Sequence, residues 1–156
     1  KLDGFGEKIG QVPLTPEQKS QGSFFAPVAY EIPSLQFLEK ENFGPVLHII
    51  RYNIKEIDTF IQEINDTGYG LTFGIHSRVQ NFIDHVTSKI NAGNVYVNKP
   101  MIGAVVGVQP FGGHGLSGTG PKAGGARYLN AFATEKVIST DITRAGGNTS
   151  LVMIGE

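Results

Sequence analysis

The sequence has 156 residues, 40% of them hydrophobic and 17% charged, with a formal net charge of -1 and no cysteine. That is enough chain for one domain with a real core, and it excludes a disulfide framework or a thiolate metal site. With no basic excess and no apolar run of membrane-spanning length, neither nucleic acid nor a membrane is an expected partner.

The charged start is punctuated by Gly4, Gly6 and Gly10. Their spacing is not that of a dinucleotide loop, and no strand precedes them. Residues 9–14 predict a short strand, and residues 15–22, polar with Pro16, a surface loop. Residues 24–32 are aromatic and β-branched and predict a strand, which Pro27 confines to an edge or a bulge. Ser34 offers an N-cap for a short helix over residues 35–40, with Phe37 and Leu38 inward. A strand over residues 46–52 follows Gly44 and Pro45.

Asn53 and Glu56 have capping-box spacing. Ile54, Ile57, Ile61 and Ile64 then recur at helical intervals beside Phe60, and Gly68 suits a helix C′ position. Residues 54–67 therefore predict an amphipathic helix, and residues 71–75 a strand. The pattern repeats. Ser77 and Gln80 form a second expected box, Val79, Phe82, Ile83, Val86 and Ile90 an apolar face, and Gly93 a stop before a strand over residues 95–97. Strands alternating with helices at this spacing predict an α/β fold, a mostly parallel sheet built of βαβ units. In open sheets of this kind ligands bind beyond the carboxyl ends of the strands, which places the segment from Asn98 onward at the ligand edge.

Residues 126–134 predict a short helix, and residues 135–140 and 149–154 two strands. These suggest a division into a body, residues 1–134, and a C-terminal β-hairpin arm, residues 135–156. Such an arm pairs either with its own domain or with another chain. The four histidines, His48, His76, His85 and His114, lack metal-ligand spacing, and no metal is expected.

Between these elements, residues 93–125 form a long, nearly uncharged, glycine-dense segment that still carries Ile102, Val105, Val106, Val108 and Phe111. The apolar residues argue against disorder. A loop of this length either connects without chemistry or shapes a pocket. Gly113, Gly115 and Gly118 match a bare dinucleotide pattern, but Pro110 precedes it and Gly120–Pro121 breaks any following helix.

The run I-G-A-V-V-G-V-Q-P-F-G-G-H-G-L-S-G-T-G-P-K-A-G-G, with E-N-F-G-P-V at residues 41–46, closely resembles the C-terminal active-site region of aldehyde dehydrogenases. The match is nearest to the L-glutamate γ-semialdehyde (1-pyrroline-5-carboxylate) dehydrogenase module of the bifunctional proline utilization A (PutA) family. It extends over nearly the whole sequence and is weakest before Gly22.

The resemblance implies an NAD-dependent oxidation of L-glutamate γ-semialdehyde to L-glutamate, with FAD in a separate proline dehydrogenase module if the parent is a PutA. The implied compartment, with no leader at Lys1, is the cytoplasm. The family's nucleophile is a cysteine thiolate, suited to adding to an aldehyde. None exists here, so catalytic cysteine, general base and nucleotide-binding domain are expected upstream, and the sequence alone is expected to be inactive. By the same resemblance Glu41 accepts hydrogen bonds from the nicotinamide ribose, and Phe43 packs near the nicotinamide. Gly103 and Ala104 hold the substrate α-carboxylate through backbone N–H groups, and Phe111 covers its aliphatic chain. Some relatives carry serine at the position of Ala104. On the residues alone Glu41 reads as a solvated carboxylate, and Phe43 and Phe111 as packing groups. The segment from residue 135 resembles the family's oligomerisation arm and implies a homo-oligomer. A monofunctional dehydrogenase of the same substrate and a non-catalytic assembly module are the alternatives.

Overall fold

The computed structural model describes residues 4–141. Its first sheet has three strands, β1 (Glu7–Gln11), β2 (Val28–Glu31) and β3 (Val46–Ile49). β2 lies in the middle, antiparallel to β1 and parallel to β3. Pro27 therefore does not confine this strand to an edge. It stands one residue ahead of β2, where its missing N–H costs no ladder bond, and its carbonyl accepts from Val12 N at 2.9 Å. Phe24 and Phe25 stay outside the strand and are exposed. Val28, Tyr30 and Ile32 alternate onto one buried face and pack with Leu38, Val46 and Ile50.

The segment expected as a loop at residues 15–22 contains a helix, α1 (Pro16–Gln21). Thr15 and Gln18 form a reciprocal capping box, with bonds of 3.2 and 2.9 Å, and Pro16 occupies the first turn. None of its residues is buried. Capping, not apolar periodicity, makes this helix, so a reading based on periodicity passes over it. Conversely, residues 35–40 form only one 3-10 turn, Leu35–Phe37, with no side-chain cap from Ser34. Phe37 is largely exposed and stacks on Phe5, ring centroids 4.7 Å apart.

A 3-10 turn, Ile54–Glu56, leads into α2 (Ile57–Asp66). Asn53 accepts from Lys55 N at 3.0 Å instead of completing a box with Glu56. Gly68 ends the helix at φ 75°, as a C′ glycine does. Strands β4 (Tyr69–Gly70) and β5 (Thr72–Ile75) follow, then α3 (Gln80–Lys89) and β6 (Asn94–Val97). β5 and β6 pair in parallel, from Thr72 opposite Asn94 to Ile75 opposite Val97, so β5–α3–β6 is a βαβ unit. Ser77 makes no box with Gln80; its hydroxyl accepts from Val79 N at 3.1 Å. The helix ends at Lys89, four residues before Gly93.

Ile61, Ile75, Ile83 and Val86 are buried between α2, α3 and β5, flanked by Ile57, Phe73, Phe82 and Ile90. On the outer side Asp58 joins the two helices, reaching Lys89 Nζ at 2.9 Å and His85 Nε2 at 2.5 Å. Those hydrogen bonds, from Lys89 first and then His85, hold its carboxyl below the usual carboxylate range. The other expected unit, β3–α2–β5, is not closed: among the described residues β3 pairs with β2 and β5 with β6.

A last strand, β7 (His114–Gly115), pairs antiparallel with β4. Residues 126–134 form no α-helix, only a 3-10 turn at Leu129–Phe132. Residues 135–141 are exposed and carry no strand. The strand expected over residues 149–154 lies outside the described residues.

Candidate functional site

Glu41 and Phe43 lie in the segment that enters β3. Both line one cleft of about 920 Å³, whose other walls include Tyr69, Leu71, Asn91 and Ser117. The Glu41 backbone N–H donates a long hydrogen bond, 3.4 Å, to Tyr69 Oη. The Phe43 ring is 94% exposed. Tyr69 is held by its pairing with Gly115. Next to it, Gly70 N donates to Ser117 Oγ at 3.1 Å and Leu116 N to Gly68 O at 2.9 Å. The glycine-dense segment thus contributes Ser117 to the lining of the cleft. His48 also lines the cleft, and its Nε2 is buried without a hydrogen-bond partner, as is Tyr96 Oη on β6.

The glycine-dense segment leaves the carboxyl end of β6 at Asn98. At φ 54° it is the one non-glycine residue in the left-handed region among the described residues. Asparagine tolerates that region, and here its amide exchanges two bonds of 2.9 Å with the backbone of Ser77. Gln109, given no role on sequence, folds the apolar bend: its Oε1 accepts from Val105 N at 2.9 Å. Ile102 and Val106 are almost fully exposed around it, Gly103 is exposed and Ala104 half-buried.

The segment then turns back along β6. Asn94, at the amino end of that strand, donates from Nδ2 to Pro110 O at 2.9 Å and accepts from Gly112 N at 3.0 Å. Phe111, between them and half-buried, exchanges backbone bonds with Ala123 at 3.0 and 2.9 Å. A side chain at Gly93 would overlap the Gly112 carbonyl, so glycine is what lets the segment dock this closely.

The five residues expected at the site therefore fall into two groups. Glu41 and Phe43 share a cleft; Gly103, Ala104 and Phe111 do not line it. The cleft opens beside the amino ends of β3 and β5, where the segments entering those strands converge, whereas the segment from Asn98 onward leaves the carboxyl end of β6. Sequence reasoning missed Tyr69, Ser117 and Asn94. Asn94 alone left a signal: an amide, with a donor and an acceptor, beside a glycine at the start of an apolar strand.

The profile of the aldehyde dehydrogenase family matches residues 6–138. The bifunctional protein PutA of Rhizobium meliloti is 53% identical over 134 residues, which are 86% of this chain and 11% of that protein. A crystal structure of a mutant Bradyrhizobium japonicum proline utilization A superposes with a TM-score of 0.79 at 45% identity, over 94% of this chain and 14% of that one. The 1-pyrroline-5-carboxylate dehydrogenase from Thermus, solved with bound NAD, gives a TM-score of 0.69 at 36% identity, over 83% of this chain and 25% of that one. The sequence thus spans about a tenth of the length of the PutA proteins it matches and a quarter of the single dehydrogenase. Its α/β architecture, its two motifs and this match together make the chain a member of the aldehyde dehydrogenase family.

Proposed function

We propose that this sequence is the distal part of the catalytic domain of an NAD-dependent dehydrogenase. The parent, a cytoplasmic bifunctional PutA, oxidises L-glutamate γ-semialdehyde to L-glutamate, and a proline dehydrogenase module with FAD in the same protein supplies the substrate. The observation that carries this reading is the 53% identity to a PutA over most of the chain, against 35% to a 1-pyrroline-5-carboxylate dehydrogenase from Geobacillus.

The residues present fit one end of the dinucleotide. The exposed Glu41 carboxylate suits paired ribose hydroxyls, because an ionised acceptor strengthens such bonds. The Phe43 ring offers an unpacked aromatic face to the nicotinamide. When bound, NAD takes up the hydride that leaves the aldehyde carbon. On the substrate side, nothing lies within 4 Å of the position a Cβ would take at Gly103. Its amide and that of Ala104 would take the α-carboxylate, and Phe111 would cover the aliphatic chain. The nucleophile and general base come from elsewhere in the parent, because the sequence has no cysteine. The exposed Ile102, Val106 and Val108 suit a surface that the rest of the parent covers. Residues from 135 on, with Val137 and Ile138 exposed, would pack on another domain or on a second subunit of a homo-oligomer.

The test is a paired assay of NADH formation from L-glutamate γ-semialdehyde, by this 156-residue chain and by the complete parent protein. Turnover in the parent alone, lost on Glu41→Ala through weaker NAD binding, is the expected result. Turnover by the short chain would sink the reading. A folded parent silent with this aldehyde would redirect it to another substrate or to a non-catalytic module.

A further inference from the structure

Asn94 is assigned no role by the family motifs, yet its side chain ties β6 to the later part of the glycine-dense segment with two hydrogen bonds. Around Phe111 the backbone is strand-like. Its own N–H and C=O point to one side, where Ala123 meets both at 3.0 and 2.9 Å. Pro110 C=O and Gly112 N–H point to the other side, where no strand follows, and the Asn94 side chain meets both at 2.9 and 3.0 Å. A primary amide is the smallest side-chain group with a donor and an acceptor on one planar unit, so it stands in for a strand neighbour. Gly93, beside it, admits the Gly112 carbonyl to within the space a side chain would need, and Lys122 Nζ holds that carbonyl at 2.6 Å.

We propose that Asn94 is a positioning residue for substrate recognition: its amide holds Pro110 and Gly112 so that the Phe111 ring is fixed where it covers the aliphatic chain of the aldehyde. This rests on the reading of Phe111 given above. Losing the amide leaves one backbone donor and one acceptor unpaired on that side, and the segment relaxes away from β6. Small displacements of a positioning group cost disproportionately in recognition.

The experiment uses the complete parent protein. Asn94→Ala should raise the KM for L-glutamate γ-semialdehyde about tenfold, with the KM for NAD unchanged and kcat lowered less than twofold. Asn94→Ser, which keeps a shorter hydrogen-bonding group, should move the same way by less and serves if the alanine variant does not fold. Combined with Phe111→Leu, the two KM effects should not multiply, because Asn94 acts through Phe111. Hydrogen exchange should show faster exchange at Gly112 in the Asn94 variants.

An unchanged substrate KM, equal losses for NAD and aldehyde, or effects that multiply with Phe111→Leu would overturn the positioning role. A wild-type parent inactive toward the semialdehyde would overturn the underlying reading instead. Gly112 exchange would then still decide whether Asn94 holds the segment, and unaltered exchange would overturn that too.

Discussion

The βαβ region and the glycine-dense segment lie side by side and hold their shapes by opposite means. Between Ile57 and Val97, Ile61, Ile75, Ile83 and Val86 form a continuous buried cluster, flanked by Phe73, Phe82 and Ile90. From Asn98 to Gly125 the large apolar residues other than Phe111 point outward: Ile102 is 97% exposed and Val106 96%. What shapes this second region is hydrogen bonding from Asn94, Asn98, Gln109 and Ser117, with close backbone approach at Gly93. A core of this kind is self-sufficient, because its stabilisation comes from area the region itself removes from water. A segment tied by polar contacts keeps its path but leaves its apolar face to be covered by something else.

Substitutions can break this contrast. Ile61→Ala should have the largest effect, about 2–5 kcal/mol of stability in a denaturant titration, because it opens a cavity in the buried cluster. Gly93→Ala should cost about 1–3 kcal/mol by overpacking against Gly112. Its damage should appear in hydrogen exchange at Phe111 and Gly112, not in α2 or α3; global unfolding would mean the two regions are not separable. Ser117→Ala removes the acceptor for Gly70 N and should cost about 1 kcal/mol, with exchange at Gly70 rising first.

Val106→Ser sharpens the contrast further. In this sequence alone it should change stability by less than about 0.5 kcal/mol, because the residue is already in water. In the complete parent it should destabilise measurably if that face is covered there; equal effects in both would argue against a covered face. The smallest effect is expected from Asp58→Asn. The Asp58 carboxyl is held low by Lys89 and His85, so its contribution is present above the ordinary value of 3.8 and is lost as pH falls through the lowered one. The variant should therefore melt slightly earlier at pH 7, and the gap should close as the pH drops below 3.8. Both partners are well exposed, which keeps the difference small.

Much of the fold was legible in the sequence, for identifiable reasons. Periodic isoleucines announced α2, the spacing of Phe82, Ile83, Val86 and Ile90 announced α3, and Gly68 announced the end of α2, because burial and the left-handed conformation each demand particular side chains. The segments that were misread lack such demands. α1 is polar and rests on a Thr15–Gln18 box with Pro16 in its first turn, and residues 135–140, expected as a strand for their β-branched residues, pair with no strand among the described residues. Strand identity depends on a neighbour that no local pattern supplies.

By itself the sequence determined the α/β class, the principal helices, the family membership carried by the motifs around Glu41 and Phe111, and the absence of a cysteine nucleophile from these 156 residues. Only the tertiary structure decided that Glu41 and Phe43 share a cleft with Tyr69 while Gly103, Ala104 and Phe111 stand outside it. It also decided that Asn94 holds the segment bearing Phe111. Helix faces and motifs are local properties, set by spacing along the chain. A cleft or a clamp joins residues far apart in the sequence, and their meeting depends on the path the chain takes between them.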